Sequence, residues 1–197
     1  MSTTTTEPPA AVPPASRARR GLIVRDYGIV LCFVALFIAL SLSTSTFLTE
    51  RNLLNILDQS APLGIITCAI TICIVCGIFD LSTGAVYGLS AVVAAKVASS
   101  TSPDVGVAAG VACGLGLGIA NAIVIHLTRI NSFIGTLATG IVFRGLALLI
   151  TGGAIVTVTD SGFRTLGRSE LLGAKYSVWV FAVFFAITAF LLARTAF

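Results

Sequence analysis

Three stretches of this chain, residues 61–79, 105–125 and 176–193, contain no charged residue, and a fourth, 130–150, contains only Arg144. Wound as a helix rising about 1.5 Å per residue, each run is about as long as the ~30 Å hydrocarbon core of a bilayer is thick. Lipid offers the backbone no hydrogen-bond partner, so only helices and closed barrels can cross it. Runs of this length without period-two alternation predict helices. Of the 197 residues, 56% are apolar and 10% charged, and the mean hydropathy is +1.03. Ordinary soluble domains carry roughly 25% charged residues. So little charge cannot cover a water-facing surface, which excludes a typical soluble globule and a large soluble catalytic domain.

Apolar length predicts an all-α polytopic membrane protein of about six transmembrane helices, over residues 27–47, 61–79, 81–97, 105–127, 130–150 and 176–193. The third is short and is closed by Lys96. Arg17, Arg19, Arg20 and Arg25 precede the first run, and basic residues beside a span hold their side in the cytoplasm. The N-terminus is therefore expected to be cytoplasmic. Alternation then places the turn at Asp80, the loop 126–131 and Arg194 inside, with 47–60, 99–104 and 151–175 outside. Residues 1–25, rich in Thr, Pro, Ala and Arg without periodicity, read as a disordered basic cytoplasmic tail, and 26–197 as the transmembrane domain. A basic start before an apolar run also suits a signal peptide. The run continues to Phe47 without a convincing small-x-small cleavage site, which favours an uncleaved span. Leu53, Leu54, Ile56 and Leu57 beside Asn52, Asn55 and Asp58 predict a separate short amphipathic helix at the outer surface.

The net charge of +4 does not point to nucleic acid, because no aromatic residues interleave with the arginine cluster to stack bases. All five cysteines lie inside apolar runs. Cys73 and Cys76 have CxxC spacing, but there is no second pair and one His in the chain, so apolar filler is preferred to a redox or metal pair. No Walker A, HExxH or GxSxG sequence is present. No catalytic residue, metal ligand or cofactor is expected, and the chain reads as a transporter, channel or scaffold subunit rather than an enzyme.

Three features stand out. The first is GIFDLSTG at residues 77–84, which interrupts two apolar runs. Its glycines permit unusual backbone angles, and Asp80 and Ser82 suit the cap of the following helix. Alternatively, a broken helix with an exposed end faces a polar cavity, since free backbone groups persist at membrane depth only where protein or water satisfies them. The second is Arg144, whose charge costs about 2.5–3.5 kcal/mol at the bilayer centre, so it faces the bundle interior or snorkels outward. Asp80 falls toward the opposite surface, which argues against a direct Asp80–Arg144 pair. The third is Gly106, Gly110, Gly114 and Gly118, with Ala122 continuing the line. Small-xxx-small spacing lets a second backbone approach closely, so this span is expected to pack against another helix. Asn121, just beyond, suits an interhelical hydrogen bond or a pathway lining.

With these segments placed, the chain resembles the inner-membrane permeases of ribose- and other monosaccharide-type ABC importers. The resemblance rests on FLTERNLLNIL at 47–57, the glycine, Asp-Leu-Ser and glycine of 77–84, and Asn121. It continues through FIGTL at 133–137, RGLAL at 144–148, TGG at 151–153, FRTLG at 163–167, Val178-Trp179 and LLART at 191–195. The family usually has a second Gly and an Ile before the Asp, where this chain has Ile78 and Phe79, and often has proline where Asn131 and Ser132 stand. The missing proline predicts a looser loop before the fifth span. Similar permeases continue past the LLART match, so the resemblance implies the N-terminal portion of a longer permease, ending before the segment that docks on the ATPase.

The resemblance implies a multi-pass protein of the bacterial inner membrane. It would pair with a second permease subunit and form a pathway between a periplasmic substrate-binding protein and a cytoplasmic ABC ATPase that hydrolyses ATP. Asp80, Ser82, Asn121 and Arg144 would line that pathway or support its gate. The alternatives are a permease for branched-chain amino acids or nucleosides, or a truncated chain that is inactive or serves only in assembly.

Overall fold

A computed structural model describes residues 15–159 and 161–195. The chain divides into two compact units, Met1–Leu53 and Leu54–Phe197. The tail expected over 1–25 lies outside the described residues as far as residue 14, and from Ala15 the backbone is helical.

In the first unit, α1 (Ala15–Ser43) carries Phe33 and Phe37 one turn apart, and Phe37 meets Phe47 edge-on at 5.3 Å between ring centres. Phe47 thus folds the chain back after the helix ends. Thr49 starts α2 (Glu50–Val75): its carbonyl accepts the N–H groups of Asn52 and Leu53 at 3.0 Å, while the Asn52 amide donates to the Phe47 carbonyl at 2.8 Å.

The separate amphipathic helix and the span at 61–79 expected from the sequence are one continuous helix, α2, with Pro62 inside it. Proline removes one rung of the hydrogen-bond ladder and disfavours the turn before it, but here the helix runs through. The span also ends earlier than Phe79, because Gly77 takes a left-handed φ of +76°. The Ile78 N–H then bonds the Cys73 carbonyl at 2.8 Å and the Gly77 N–H the Ile74 carbonyl at 2.9 Å, closing the last turn of α2.

The centre of the second unit is α3 (Thr83–Ser100), packed between α4 (Pro103–Thr128) and α5 (Ser132–Thr151). Antiparallel packing of α3 on α4 is built on small residues. A Cβ on Gly106 would lie 2.5 Å from the Ala98 Cβ and 2.7 Å from the Ala94 carbonyl. One on Gly110 would lie 2.8 Å from the Ala94 Cβ, and one on Gly114 3.2 Å from the Ser90 hydroxyl. The close approach covers three of the four expected glycines: at Gly118 nothing lies within 4 Å. One residue along, Val107, Val111, Leu115 and Ile119 form an exposed apolar stripe, suited to lipid rather than water.

Each end of α4 and α5 has a local cause. Pro103 at the first turn of α4 gives up an N–H that has no helical partner anyway, and Arg129 stops the helix in a left-handed conformation. In the loop that follows, where the proline is missing, the Asn131 carboxamide caps α5 by accepting the Phe133 N–H at 2.9 Å. Gly152 and Gly153, both at positive φ, end α5.

Beyond lie α6 (Ser161–Arg168), a two-stranded antiparallel hairpin of β1 (Glu170–Leu171) and β2 (Ala174–Lys175), and α7 (Tyr176–Arg194). Asp58 of α2 ties this region down, accepting from the Lys175 ammonium at 2.5 Å and from the Ser177 hydroxyl. Farther along, Gly64 of α2 lies under the Phe181 ring of α7, where a Cβ would clash.

Among the described residues four helices, α2, α4, α5 and α7, are long and apolar enough to cross a membrane. The apolar part of α1, Tyr27–Ser43, is shorter, and α3 is diluted by Lys96, Ser99 and Ser100.

The seam between α3 and α4 yields a graded test. Gly110→Val is expected to destabilise the chain by about 1–3 kcal/mol through overpacking, whereas Gly118→Ala stays within about 1 kcal/mol of wild type, its open side and better helix propensity both favouring tolerance. Denaturant unfolding in detergent, followed by circular dichroism, measures both; equal losses would contradict the asymmetry of the seam.

Candidate functional site

Between the end of α2 and the start of α3, residues 79–81 make no helical backbone hydrogen bonds. Two hydroxyls of α5 take over. The Phe79 N–H donates to the Ser132 hydroxyl at 3.2 Å and the Leu81 N–H to the Thr136 hydroxyl at 3.0 Å. The match is geometric: four residues of helix advance about 6 Å and two residues of extended chain about 6.6 Å. Two side chains one turn apart therefore meet alternate amides, as a neighbouring strand would. The Thr136 hydroxyl donates in turn to the Ser132 carbonyl at 2.8 Å.

Asp80, between those two amides, serves the other side. Its Oδ1 accepts the Ser82 N–H at 2.7 Å and the Ser82 hydroxyl at 2.6 Å, and the Ser82 hydroxyl accepts from the Asn121 Nδ2 of α4 at 2.6 Å. Because the hydroxyl hydrogen goes to Asp80, the amide must present its nitrogen to Ser82. The relay Asn121 to Ser82 to Asp80 is thus fixed in direction. The Asn121 Oδ1 has no partner among the described residues. Ser82 is fully buried, Thr136 1% exposed and Asn121 6%. Polar groups this deep cost free energy unless bonded, so the relay and the α5 clamp are what make the break tolerable. Gly140 completes it: a Cβ there would lie 3.3 Å from the Ser82 Cα.

The capping role expected of Ser82 is corrected by this geometry, while the Asp80 carboxylate does take a backbone N–H, that of Ser82, at the start of α3. Ser82 occupies the cap position of α3 but its side chain makes no cap hydrogen bond, because its hydroxyl is committed to Asp80 and Asn121. Its carbonyl, accepting from Ala85 and Val86, starts the helix instead.

The structure brings together Asp80, Ser82 and Asn121 but not Arg144. Eight residues beyond Thr136 on α5, Arg144 is displaced by about 12 Å along the axis. It is exposed and borders a separate cavity of about 420 Å³ between α3 and α5, with Gly88, Val92, Leu148 and Ile155. Gly106, Gly110 and Gly114 lie along the α3–α4 seam and hold the two helices at the distance at which Asn121 reaches Ser82. Sequence reasoning missed Ser132, Thr136 and Gly140. Their four-residue spacing, one face of α5, was the available signal. Among the described residues no group of three or more His, Cys, Asp or Glu side chains is placed to hold a metal.

Comparison with known proteins gives a consistent pattern. Residues 52–197 match the family described as branched-chain amino acid transport system / permease component. The chain is 38% identical to an L-arabinose ABC transporter permease of Azospirillum brasilense over 98% of its own length and 58% of the relative's. It is 36% identical to an L-arabinose transport system permease of Escherichia coli K12, over 93% of this chain and 56% of that one. With a ribose import permease of Bacillus subtilis 168 it shares 38% identity, over 89% and 55% respectively. The chain thus spans little more than half the length of these relatives. No solved structure matches it.

Removal of the α5 clamp should be costly in one chemistry and mild in another. Thr136→Val leaves the Leu81 N–H unpaired and is expected to lose about 1–3 kcal/mol, while Thr136→Ser keeps the hydroxyl and recovers most of it. Paired denaturation curves in detergent check this; a valine variant as stable as wild type would mean that the clamp is dispensable.

Proposed function

Since the chain belongs to the branched-chain amino acid transport system permease family, we propose that it forms the membrane-spanning pathway of an ABC importer for a monosaccharide, pentoses such as arabinose and ribose first. The observation that carries this reading is the 36–38% identity to arabinose and ribose permeases over nearly all of this chain. In this reading the protein hydrolyses nothing itself. A cytoplasmic ABC ATPase drives alternating access, a substrate-binding protein delivers the sugar from outside, and a second permease subunit completes the pathway.

The chain lies in the bacterial inner membrane with its N-terminus in the cytoplasm and six crossings: α1, α2, α3, α4, α5 and α7. The arginines before Tyr27 support that orientation. It puts the break at 77–82 toward the cytoplasm and the hairpin toward the outside. Asp80, Ser82 and Asn121 then support the gate by holding the broken segment, and Arg144 lines the pathway from its own cavity. The family's description favours a second reading of the substrate, a branched-chain amino acid.

Reconstitution decides between these. The permease, in vesicles with a cytoplasmic ABC ATPase and a substrate-binding protein of a monosaccharide importer, is expected to accumulate radiolabelled arabinose or ribose only when ATP is supplied. Accumulation of leucine but of no sugar would establish the second reading, and no ATP-dependent uptake of any solute would leave an assembly role. Asn121→Ala is expected to cut sugar uptake at least tenfold at unchanged membrane abundance, by freeing the Ser82 end of the broken segment; unaltered uptake would remove Asn121 from the gate.

A further inference from the structure

The hairpin before α7 places two leucines where turn chemistry alone would not. Leu172 and Gly173 connect β1 to β2 with φ of +53° and +81°. Two-residue turns of this kind favour Asn-Gly, since both positions need left-handed backbone, and a bulky residue at positive φ is unusual. Leu172 is nevertheless 87% exposed, and Leu171 beside it is 48% exposed. Neither the turn nor the core among the described residues accounts for leucine there, so its partner lies outside them.

The surroundings identify that partner. Charge brackets α7: Lys175 precedes it, Arg194 ends it, and the 18 uncharged residues between them span about 27 Å, close to the hydrocarbon thickness of a bilayer. The hairpin therefore lies at one membrane surface. Across its two strands Glu170 pairs with Lys175 and Leu171 with Ala174, and alternation puts charge on one face and apolar groups on the other. The charged face is tied inward, since the Lys175 ammonium bonds Asp58 of α2. On the helix side, Tyr176 and Trp179 are exposed at the first turn of α7, and the Trp179 indole N–H donates to the Leu171 carbonyl at 2.9 Å. Tryptophan and tyrosine concentrate at the membrane–water boundary.

We propose that the hairpin tip is a lipid anchor, with Leu171 and Leu172 entering the boundary between headgroups and acyl chains and Trp179 bracing the hairpin against α7. The proposal rests on α7 crossing the membrane, and the test separates the two. Trp179 is the single tryptophan, so its fluorescence reports on one place. The protein is reconstituted in phosphatidylcholine vesicles containing lipids brominated either near the headgroup or deep in the acyl chain, with iodide as the aqueous quencher.

In wild type, Trp179 is expected to be quenched at least twofold more by the shallow bromines than by the deep ones. Absence of any lipid quenching would overturn the crossing by α7, and the anchor with it. In Leu172→Trp combined with Trp179→Phe, the new indole is expected to show blue-shifted emission and stronger quenching by shallow bromines than by iodide. If that double variant does not fold, Leu172→Trp alone, read as its difference from wild type, gives the same measurement. With Trp179 quenched by lipid, quenching of residue 172 by iodide alone would put the tip in water. Protection from both quenchers would put it under a protein partner or a second copy. Either result overturns the anchor and leaves α7 in place.

Discussion

A backbone amide outside a helical ladder must find another partner, and the structure depends on how that requirement is met at residues 79–81. Within the helices the backbone ladder answers it. At the break the ladder ends with Gly77, and the amides of Phe79 and Leu81 are taken by the Ser132 and Thr136 hydroxyls of α5. On the other side, Asp80 and Asn121 fix Ser82 between them. Side chains thereby replace, for one turn, what backbone normally supplies. The arrangement costs two helix interiors a hydroxyl or an amide that would otherwise prefer water, and it works only because each is bonded.

Small residues set the distances at which those bonds form. Gly106, Gly110 and Gly114 bring α4 onto α3, and Gly140 brings α5 onto Ser82. Without a hydrophobic drive between helices in lipid, close van der Waals packing has to supply the association, so glycine contributes here by what it lacks. At Gly118 the line of close approach ends, with nothing within 4 Å of a Cβ there. Asn121 then crosses to Ser82 with a side chain long enough to reach. In the proposed pathway, a segment held only by side chains is the natural place for movement, because it can exchange partners without unwinding a helix.

A second polar knot sits at the far end of α2. Asp58 binds Lys175 and Ser177, and so joins α2 to the hairpin and α7 across more than a hundred residues of chain. Each partner's charge or hydroxyl is common at a membrane surface. Their convergence is what turns a long connection into a placed structure.

Much of this was legible beforehand. Charge-free runs of bilayer length determined an all-helical membrane protein, four-residue glycine spacing determined that α4 packs closely, and the motifs around Asp80, Asn121 and Arg144 pointed to a permease. These depend on local composition and on one helix period, which a sequence carries on its face. What only the tertiary structure decided is which side chains satisfy the break. Ser132 and Thr136 stand more than fifty residues from the amides they hold, and nothing in their own neighbourhood marks them as partners of Phe79 and Leu81. The same holds for the Ser82 side chain, turned from a cap into the middle of a relay by Asn121, and for Arg144, left outside it by its height on α5. Hydrogen bonds between distant segments are set by helix packing distance and register, and those exist only once α3, α4 and α5 have come together.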